Sequence, residues 1–162
     1  MTGRMAVNSG EEYRYEILSG EQVQCLKDLL GVFSEAFEDP ENYDGSPSSD
    51  GYLSALLESA VFIAITAVSH GRVIGGLAAY ELPKFEEKRK EIFIYDLAVD
   101  KAHRRKGVSS GLIKKLQGVA AERGAHVIFV QADPEDEPAV LLYERFGRKQ
   151  KVYHFALVTS GQ

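Results

Sequence analysis

The chain lacks the residues that define several protein classes. Its 162 residues include one cysteine, Cys25, and no tryptophan. A single cysteine cannot form an intrachain disulfide, so a disulfide-stabilised scaffold is excluded and a reducing compartment is expected. Cys25 lies on an apolar helical pattern with Leu26 and Leu29, which favours a packing role over a nucleophilic one. No Cys/His cluster is present, so we predict no metal site.

Long apolar runs and an N-terminal secretion signal are also missing. No stretch approaches the about 20 apolar residues that a membrane-spanning helix needs, and the polar N-terminus does not resemble a signal peptide. We therefore expect a cytoplasmic protein without a membrane partner. A loose N-terminus is predicted over residues 1–12 and a single domain over residues 13–160.

Positive charge is in the minority. The 19 Lys and Arg residues stand against 24 Asp and Glu, which gives a formal net charge of −5. This balance argues against a nucleic-acid partner. It would suit a cationic ligand, although an acidic surface that serves only solubility is the simpler alternative.

The sequence does contain a junction between a strand and a helix, from Tyr95 to Leu116. The apolar run Ile92 to Val99 predicts a buried strand. The basic turn Asp100 to Gly107 follows, and apolar residues at helical spacing continue after it. The order strand, turn, helix places the N-terminus of a helix next to a strand end.

This junction has the features of an anion-binding site. The first N–H groups of a helix have no partner within it and lie at the positive end of its dipole. Gly107 lacks a Cβ, so the backbone there can approach a ligand closely. The spacing fits neither the G-x-x-x-x-G-K-[ST] nor the G-x-G-x-x-G phosphate motif, so a basic turn without a ligand is an equal alternative on spacing alone. The cationic and hydroxyl donors are Arg104, Arg105, Lys106, Ser109 and Ser110.

Periodicity and turn residues predict a mixed α/β or α+β fold. His70-Gly71 marks a tight turn between antiparallel strands, and Gly124 ends the helix that begins at Gly107. Pro40, Gly45 and Pro47 predict an acidic loop over residues 38–49. Strands are predicted over residues 13–18, 60–68, 72–82, 92–99, 126–132 and 151–158, and helices after Ser19, over 50–58, after Gly107 and over 139–146.

The segment Arg104 to Ser109, R-R-K-G-V-S, resembles the [QR]-x-x-G-x-[GA] signature of the GNAT acetyltransferase superfamily, with Ser109 in place of Gly or Ala. The stretches F-S-E-A-F-E-D-P-E-N-Y, G-G-L-A-A-Y-E-L, I-Y-D-L-A-V, V-I-F-V-Q-A-D and P-A-V-L-L-Y-E-R-F-G resemble the aminoglycoside 3-N-acetyltransferases of that superfamily. The likeness covers most of the chain. It implies a mixed, mostly antiparallel central sheet, flanked by about four helices and splayed between strands 4 and 5.

The resemblance also implies the cofactor and its position. The basic turn would bind the pyrophosphate of acetyl-CoA, and the pantetheine arm would lie beside the fourth strand, in the splay. The cofactor-binding residues are then Leu97, Ala98, Val99, Arg104, Arg105, Lys106, Gly107, Val108, Ser109, Ser110 and Tyr143.

Acetyl transfer to an amine needs a proton acceptor for the amine and a proton donor for the leaving thiolate. Asp96 is the candidate base or amine-orienting group, since a carboxylate within an apolar strand is costly unless it is paired or used. An aspartate satisfied by its neighbours is the alternative. The resemblance implies that Tyr143 is the acid that protonates the leaving thiolate. Without the resemblance, a tyrosine packed in the core would be the better interpretation.

The substrate that the resemblance implies is a polycationic aminoglycoside, whose ammonium groups require a carboxylate-lined site. Two acidic loops could supply the carboxylates, although each of these residues taken alone could be only a solvated charge. The predicted substrate-binding residues are Asp39, Glu41, Tyr80, Asp96, Asp133, Glu135 and Asp136.

These observations predict an acetyl-CoA-dependent aminoglycoside 3-N-acetyltransferase that confers antibiotic resistance by direct amine attack in a ternary complex. Two alternatives stay open: the same cofactor with another acceptor, such as a polyamine or a protein amine, and a CoA-binding module without catalysis. The sequence does not decide which aminoglycosides are modified, which carboxylate is the base, or whether the chain forms a homodimer.

Overall fold

A computed structural model of the protein describes residues 12–43 and 48–160. Most of the predicted loose N-terminus, and Gly45 and Pro47 of the predicted acidic loop, lie outside these residues. The chain divides into two compact units, Met1–Gln131 and Ala132–Gln162. The single domain expected over residues 13–160 stays a prediction.

The first unit contains a five-stranded sheet whose strands lie side by side in chain order. Its first four strands pair antiparallel, whereas the fourth and fifth pair parallel. The mixed, mostly antiparallel sheet is therefore confirmed. The strands are β1 (Arg14–Ile17), β2 (Phe62–Ser69), β3 (Arg72–Pro83), β4 (Lys90–Val99) and β5 (Ala125–Val130).

Helices cover both faces of this sheet. Helix α4 (Val108–Arg123) packs on one face, with Leu112 and Leu116 fully buried. Helices α1 (Val23–Phe37) and α3 (Asp50–Glu58) pack on the other face, with Leu29 fully buried. Each such leucine contributes about 1.5–3 kcal/mol by leaving water. No helix among the described residues is long and apolar enough to cross a membrane. The helices of this unit are α1 (Val23–Phe37), α2 (Pro40–Tyr43), α3 (Asp50–Glu58) and α4 (Val108–Arg123).

Two of the predicted turns have the backbone conformation that their residues suggest. His70 and Gly71 join β2 to β3 with φ of 48° and 74°, the left-handed values that fit a two-residue hairpin. Gly124 follows α4 with φ of 73° and caps its C-terminus. Helix α2 was not predicted: it forms within the acidic loop because Pro40 suits the first position of a helix.

Strand β4 contains a β-bulge at Tyr95. Asp96 pairs with Ala78 and Ile94 pairs with Ala79, so Tyr95 is an extra residue relative to β3. Ile94 and Leu97 both pack into the core on the α4 face, although side chains of a regular strand alternate between faces. The bulge explains this departure and places Tyr95 and Asp96 together on the opposite face.

The bulge coincides with the end of the parallel pairing. Strands β4 and β5 pair from Lys90 and Ala125 to Ile94 and Val130, whereas β3 and β4 remain paired as far as Val99. Within the described part of the chain, residues 95–99 of β4 therefore have a strand neighbour on one side only. This is the opening predicted between strands 4 and 5.

The second unit differs from the prediction. Its helix, α5 (Glu137–Glu144), begins two residues early because the Asp136 side chain accepts a hydrogen bond from the Ala139 amide at 3.2 Å. The predicted strand over 151–158 is wrong, since residues 148–159 belong to no helix or strand. Its alternating apolar residues have no ladder partner and are exposed, Tyr153 by 91%.

Candidate functional site

The turn between β4 and α4 is held to the sheet by hydrogen bonds. The Asp100 amide donates to the Ile74 carbonyl at 2.7 Å, and the Asp100 carboxylate accepts from the Ala102 amide at 3.3 Å. Arg104 Nε donates to the Val99 carbonyl at 3.1 Å. These bonds fix the path of the chain from the open edge of β4 to the start of α4, and they give Arg104 a structural contact that the sequence did not predict.

The start of α4 presents backbone donors. Gly107 precedes the helix with φ of 80°, and no side chain caps it. The first bond within the helix runs from the Gly111 amide to the Gly107 carbonyl at 3.0 Å, so the amides of Val108 and Ser109 have no acceptor within the helix. No atom lies within 4 Å of the position that a Cβ on Gly107 would take, which leaves space beside the backbone.

These two features fit the acetyl-CoA that the sequence predicts. An extended amide-containing chain can pair with the open backbone edge of Leu97, Ala98 and Val99 as an added strand does. A diphosphate can follow at the N-terminus of α4. The basic side chains of the turn, Arg105 and Lys106 among them, are exposed beside it. The predicted cofactor residues of the first unit thus form one continuous path along β4, the turn and α4.

Asp96 lies half-buried on the face of the sheet that carries α1 and α3, among tyrosine side chains. Burial raises the pKa of Asp96 above its ordinary value, and the nearby Tyr43 phenol opposes that rise. A carboxylate with a raised pKa is a better proton acceptor than an exposed one.

Tyr80 and Tyr95 line the same region. Their rings meet edge to face, with centroids 5.9 Å apart. Burial raises the pKa of Tyr80, and the charges of Tyr52, Tyr95 and Asp96 act in the same direction. The Tyr80 phenol therefore stays neutral, and the two tyrosines offer hydroxyl groups and ring faces around Asp96.

Tyr43 connects the first acidic segment to this region. Burial raises the pKa of its phenol, with contributions from the charges of Asp96 and Asp39. Asp39 itself accepts hydrogen bonds from Asn42, at 3.3 Å from the amide and 2.5 Å from the side chain, whereas Glu41 is exposed on α2. The structure thus brings Asp39, Tyr80 and Asp96 into one neighbourhood.

Sequence reasoning missed Tyr43 and Tyr95 as site residues. Tyr43 ends the stretch that begins at Phe33, and a spacing of ten residues is not a helical repeat, so periodicity gave it no role. Tyr95 precedes Asp96 in a strand, where alternation would place them on opposite faces. Only the bulge, which depends on pairing with β3, brings them to the same face.

The second unit holds the remaining predicted residues. The loop residues Asp133, Glu135 and Asp136 are exposed, and an open cleft of about 670 Å³ is lined by Asp133, Pro134, Glu135 and Asp136. On α5, burial and the charge of Asp136 raise the pKa of Tyr143 to about 12, so its phenol is protonated at neutral pH. The roles of these residues stay predictions.

A metal centre is not formed by the described residues. Over 12–43 and 48–160, no group of three or more His, Cys, Asp or Glu side chains is arranged to hold a metal ion.

The chain is similar to proteins of a known family and to solved structures. Residues 25–147 match the family model described as the acetyltransferase (GNAT) family. A solved aminoglycoside acetyltransferase from an uncultured soil metagenomic sample is 50% identical, with a TM-score of 0.90, over 92% of this chain and 99% of that one. Another from an uncultured soil metagenomic sample, solved in complex with sisomicin, is 27% identical, with a TM-score of 0.85, over 91% and 97%.

A curated relative is more distant. Streptothricin acetyltransferase of Streptomyces lavendulae is 28% identical over 103 residues, which cover 64% of this chain and 51% of that protein. The chain thus matches about half the length of that relative.

Proposed function

Because the chain belongs to the GNAT acetyltransferase family, we propose that it transfers the acetyl group of acetyl-CoA to the 3-amino group of an aminoglycoside. The observation that carries the proposal is the half-buried Asp96, which lies where β4 loses its parallel neighbour. The likeness to aminoglycoside acetyltransferases, one 50% identical and another bound to sisomicin, supports the substrate class.

The first unit supplies the proposed cofactor contacts. The backbone of Leu97, Ala98 and Val99 would hold the pantetheine arm, and the amides of Val108 and Ser109 would hold the diphosphate. Arg104, Arg105 and Lys106 would add positive charge that favours a diphosphate. The hydroxyl groups of Ser109 and Ser110 would add hydrogen-bond donors. Bound acetyl-CoA would supply the acetyl group as a thioester, which is already activated toward an amine.

Asp96 is the proposed proton acceptor. A simple alkylamine has a pKa of roughly 10 and is mostly protonated at neutral pH, so it must lose a proton before it can attack. The ionised carboxylate attracts the ammonium group, orients it and accepts its proton. The raised pKa of Asp96 reduces the energy difference that this transfer must overcome.

Tyr143 is proposed to act on the leaving sulfur. Its pKa of about 12 exceeds that of an ordinary thiol, about 8.5, so complete transfer of its proton to the sulfur would be uphill. We therefore propose that the phenol stabilises the developing thiolate mainly by donating a hydrogen bond.

The proposed substrate contacts are carboxylates and aromatic rings. Asp39 and Glu41 would attract ammonium groups in the first unit, and Asp133, Glu135 and Asp136 would do so in the second. Tyr80 would contact a sugar ring. Acetylation removes one positive charge from a drug that binds anionic RNA, and the consequence would be antibiotic resistance.

The test is an acetyl-transfer assay on the purified protein with three amine panels: aminoglycosides with and without a free 3-amino group, polyamines, and peptides with a free amine. We expect CoA release with the first panel only and a product acetylated on the 3-amino nitrogen, located by NMR. Turnover confined to polyamines or peptides would show that the acceptor is one of these amines and not an aminoglycoside. CoA binding without turnover in any panel would favour a binding module.

A further inference from the structure

Aromatic side chains form a continuous row across four strands of the sheet. Phe62 of β2 pairs with Tyr80 of β3, and Tyr80 pairs with Phe93 of β4. Phe93 in turn pairs with Phe129 of β5. The ring centroids of Phe62 and Tyr80 lie 5.4 Å apart, and the rings of Phe93 and Phe129 stack at 4.9 Å. Tyr95 joins this aromatic row from the bulge, since its ring meets those of Tyr80 and Phe93 edge to face at 5.9 and 6.0 Å.

The aromatic row lies on the face of the sheet opposite α4. Sequence neighbours of its members, such as Ile94 and Ile128, pack in the core on the α4 face, and successive side chains of a strand alternate between faces. At β2 the row is buried, with Phe62 only 6% exposed. At its other end it is open, with Tyr95 65% and Phe129 39% exposed. The rings on β4 and β5 thus present an apolar surface to solvent.

We propose that the exposed part of the aromatic row is a subsite for the sugar rings of the acceptor. The inference rests on the proposed function and deepens it. Asp96 would engage the reacting amine, while Tyr95, Phe93 and Phe129 would stack against the rings that carry the amino groups.

The chemistry of an amino sugar suits this surface. The face of an aromatic ring is negative, whereas the C–H groups of a sugar carry partial positive charge because each carbon bears oxygen or nitrogen. An ammonium group above a ring is attracted in the same way. Asp96 directly follows Tyr95, and the bulge places both on one face. A carboxylate for the amine and ring faces for the sugar therefore lie side by side.

The exposed area fits a small ligand better than a second copy of the chain. Neighbouring strands lie about 4.8 Å apart, so the row from Tyr80 to Phe129 spans about 10 Å, enough for linked sugar rings. A fully buried aromatic side chain covers about 150–250 Å², so these partly exposed rings offer less than about 500 Å², below the about 800 Å² per partner of a standard protein interface. A symmetric contact would also bring the Asp96 carboxylates of both copies to one interface.

The test measures binding of sisomicin to the CoA-saturated protein by calorimetry. Spermine, a polycation without sugar rings, is the control ligand. We expect Tyr95→Leu and Phe129→Leu each to weaken sisomicin binding about 3- to 10-fold and to leave the affinities for spermine and CoA unchanged. Phe85→Leu is the matched control, since Phe85 is fully exposed and lies outside the row; it should bind sisomicin as wild type does.

The other outcomes would overturn the subsite. Wild-type affinity for sisomicin in both row variants would remove the rings from the site, and equal losses for spermine would show that the rings do not recognise sugars. A wild-type dimer that dissociates in the row variants, measured by light scattering, would assign the surface to a second copy. Absence of sisomicin binding by wild type would overturn the subsite and the proposed substrate together. Ring-dependent binding of sisomicin without its acetylation would reject only the proposed function.

A second measurement covers failure of the row variants to fold. Incorporation of 4-fluorophenylalanine at position 129 keeps the ring and its packing. Its ¹⁹F resonance should shift when sisomicin is added and stay in place when spermine is added, whereas the same label at position 85 should respond to neither. An unmoved resonance at position 129 under saturating sisomicin would overturn the proposal.

Discussion

Asp96 is subject to two opposing effects on its carboxyl group. Burial raises its pKa, and the Tyr43 hydroxyl lowers it. Burial is the larger effect, so the carboxyl is protonated at a higher pH than an ordinary aspartate, whose pKa is about 3.9. As pH falls, the proposed base is therefore lost earlier than an exposed aspartate would be.

Asp96→Asn tests this residue through activity and stability together. We expect kcat to fall by about 10²–10⁴ while CoA binding, measured by calorimetry, is kept. Because the folded pKa is raised, the folded state binds more protons than the unfolded chain, and the carboxylate costs stability once pH exceeds the folded pKa. The melting temperature of Asp96→Asn should therefore rise at pH 7 and approach that of wild type, or fall below it, at low pH. Near-wild-type turnover would remove Asp96 from the mechanism.

Gly107 and Gly118 allow a matched test of the proposed cofactor turn. Neither has an atom within 4 Å of an added Cβ, but only Gly107 has a positive φ, of 80°. Gly107→Ala should cost about 1–2 kcal/mol in stability and weaken CoA binding at least tenfold, since the methyl group would occupy the space beside the backbone donors. Gly118→Ala should stabilise by about 0.5–1 kcal/mol without changing CoA affinity. Thermal melts and CoA titrations check both, and equal CoA affinity in the two variants would contradict the assignment.

At the scale of elements, the bulge in β4 links the proposed base Asp96 to the proposed cofactor edge of the strand. Parallel pairing with β5 ends at Ile94, directly before the extra residue Tyr95. Bulges bend a strand and increase its twist, which explains why β4 and β5 separate there. The same irregularity therefore opens the edge of Leu97 to Val99 and presents Tyr95 beside Asp96.

Deleting Tyr95 should restore regular pairing with β3 and reduce the separation of β4 from β5. We expect a chain that still folds, as judged by circular dichroism, but binds CoA at least tenfold more weakly, about 1.4 kcal/mol. Tyr95→Ala is the control, since it keeps the extra residue and removes only the ring, and its CoA affinity should equal that of wild type. Equal losses in both variants would assign the effect to the side chain instead of the bulge.

The elements differ in how far the sequence could predict them. Strands β1 to β5, the His70-Gly71 turn and the end of α4 at Gly124 follow from local periodicity and backbone preference. The bulge does not, because the unpaired position of Tyr95 depends on the register with a distant strand. The strand predicted over 151–158 failed for a related reason: alternation indicates which residues could face a core, but a strand also requires a partner for its backbone.

The candidate site shows the same limit: local sequence patterns do not reveal contacts between distant residues. The basic turn and Asp96 stand out because charge is unusual beside or within an apolar strand. Tyr43 does not, since its place near Asp96 depends on the folding of residues far apart in sequence. Nor could local patterns show that Arg104 donates to the Val99 carbonyl, because a basic residue in a turn fits a ligand contact equally well.

At the scale of the whole molecule, charge of the two signs is unevenly distributed. The chain carries a formal net charge of −5, yet the turn at Arg104, Arg105 and Lys106 is locally basic. An anionic cofactor is favoured at that turn, and a polycation is favoured by the protein as a whole. Charge distribution thus distinguishes the two proposed ligands before any specific contact forms.

Long-range attraction of this kind predicts a salt dependence that differs between substrates. Raising ionic strength from about 0.05 to 0.5 M shortens the screening length from about 14 Å to about 4 Å, so kcat/KM for an aminoglycoside with several ammonium groups should fall about tenfold or more. A monoamine sugar, which carries a single charge, should lose much less under the same conditions. Sucrose at matched viscosity controls for diffusion, and melting temperatures at each salt concentration control for unfolding. Equal losses for the polycation and the monoamine would mean that the acidic surface serves solubility, and that the carboxylates of the loops do not attract the substrate.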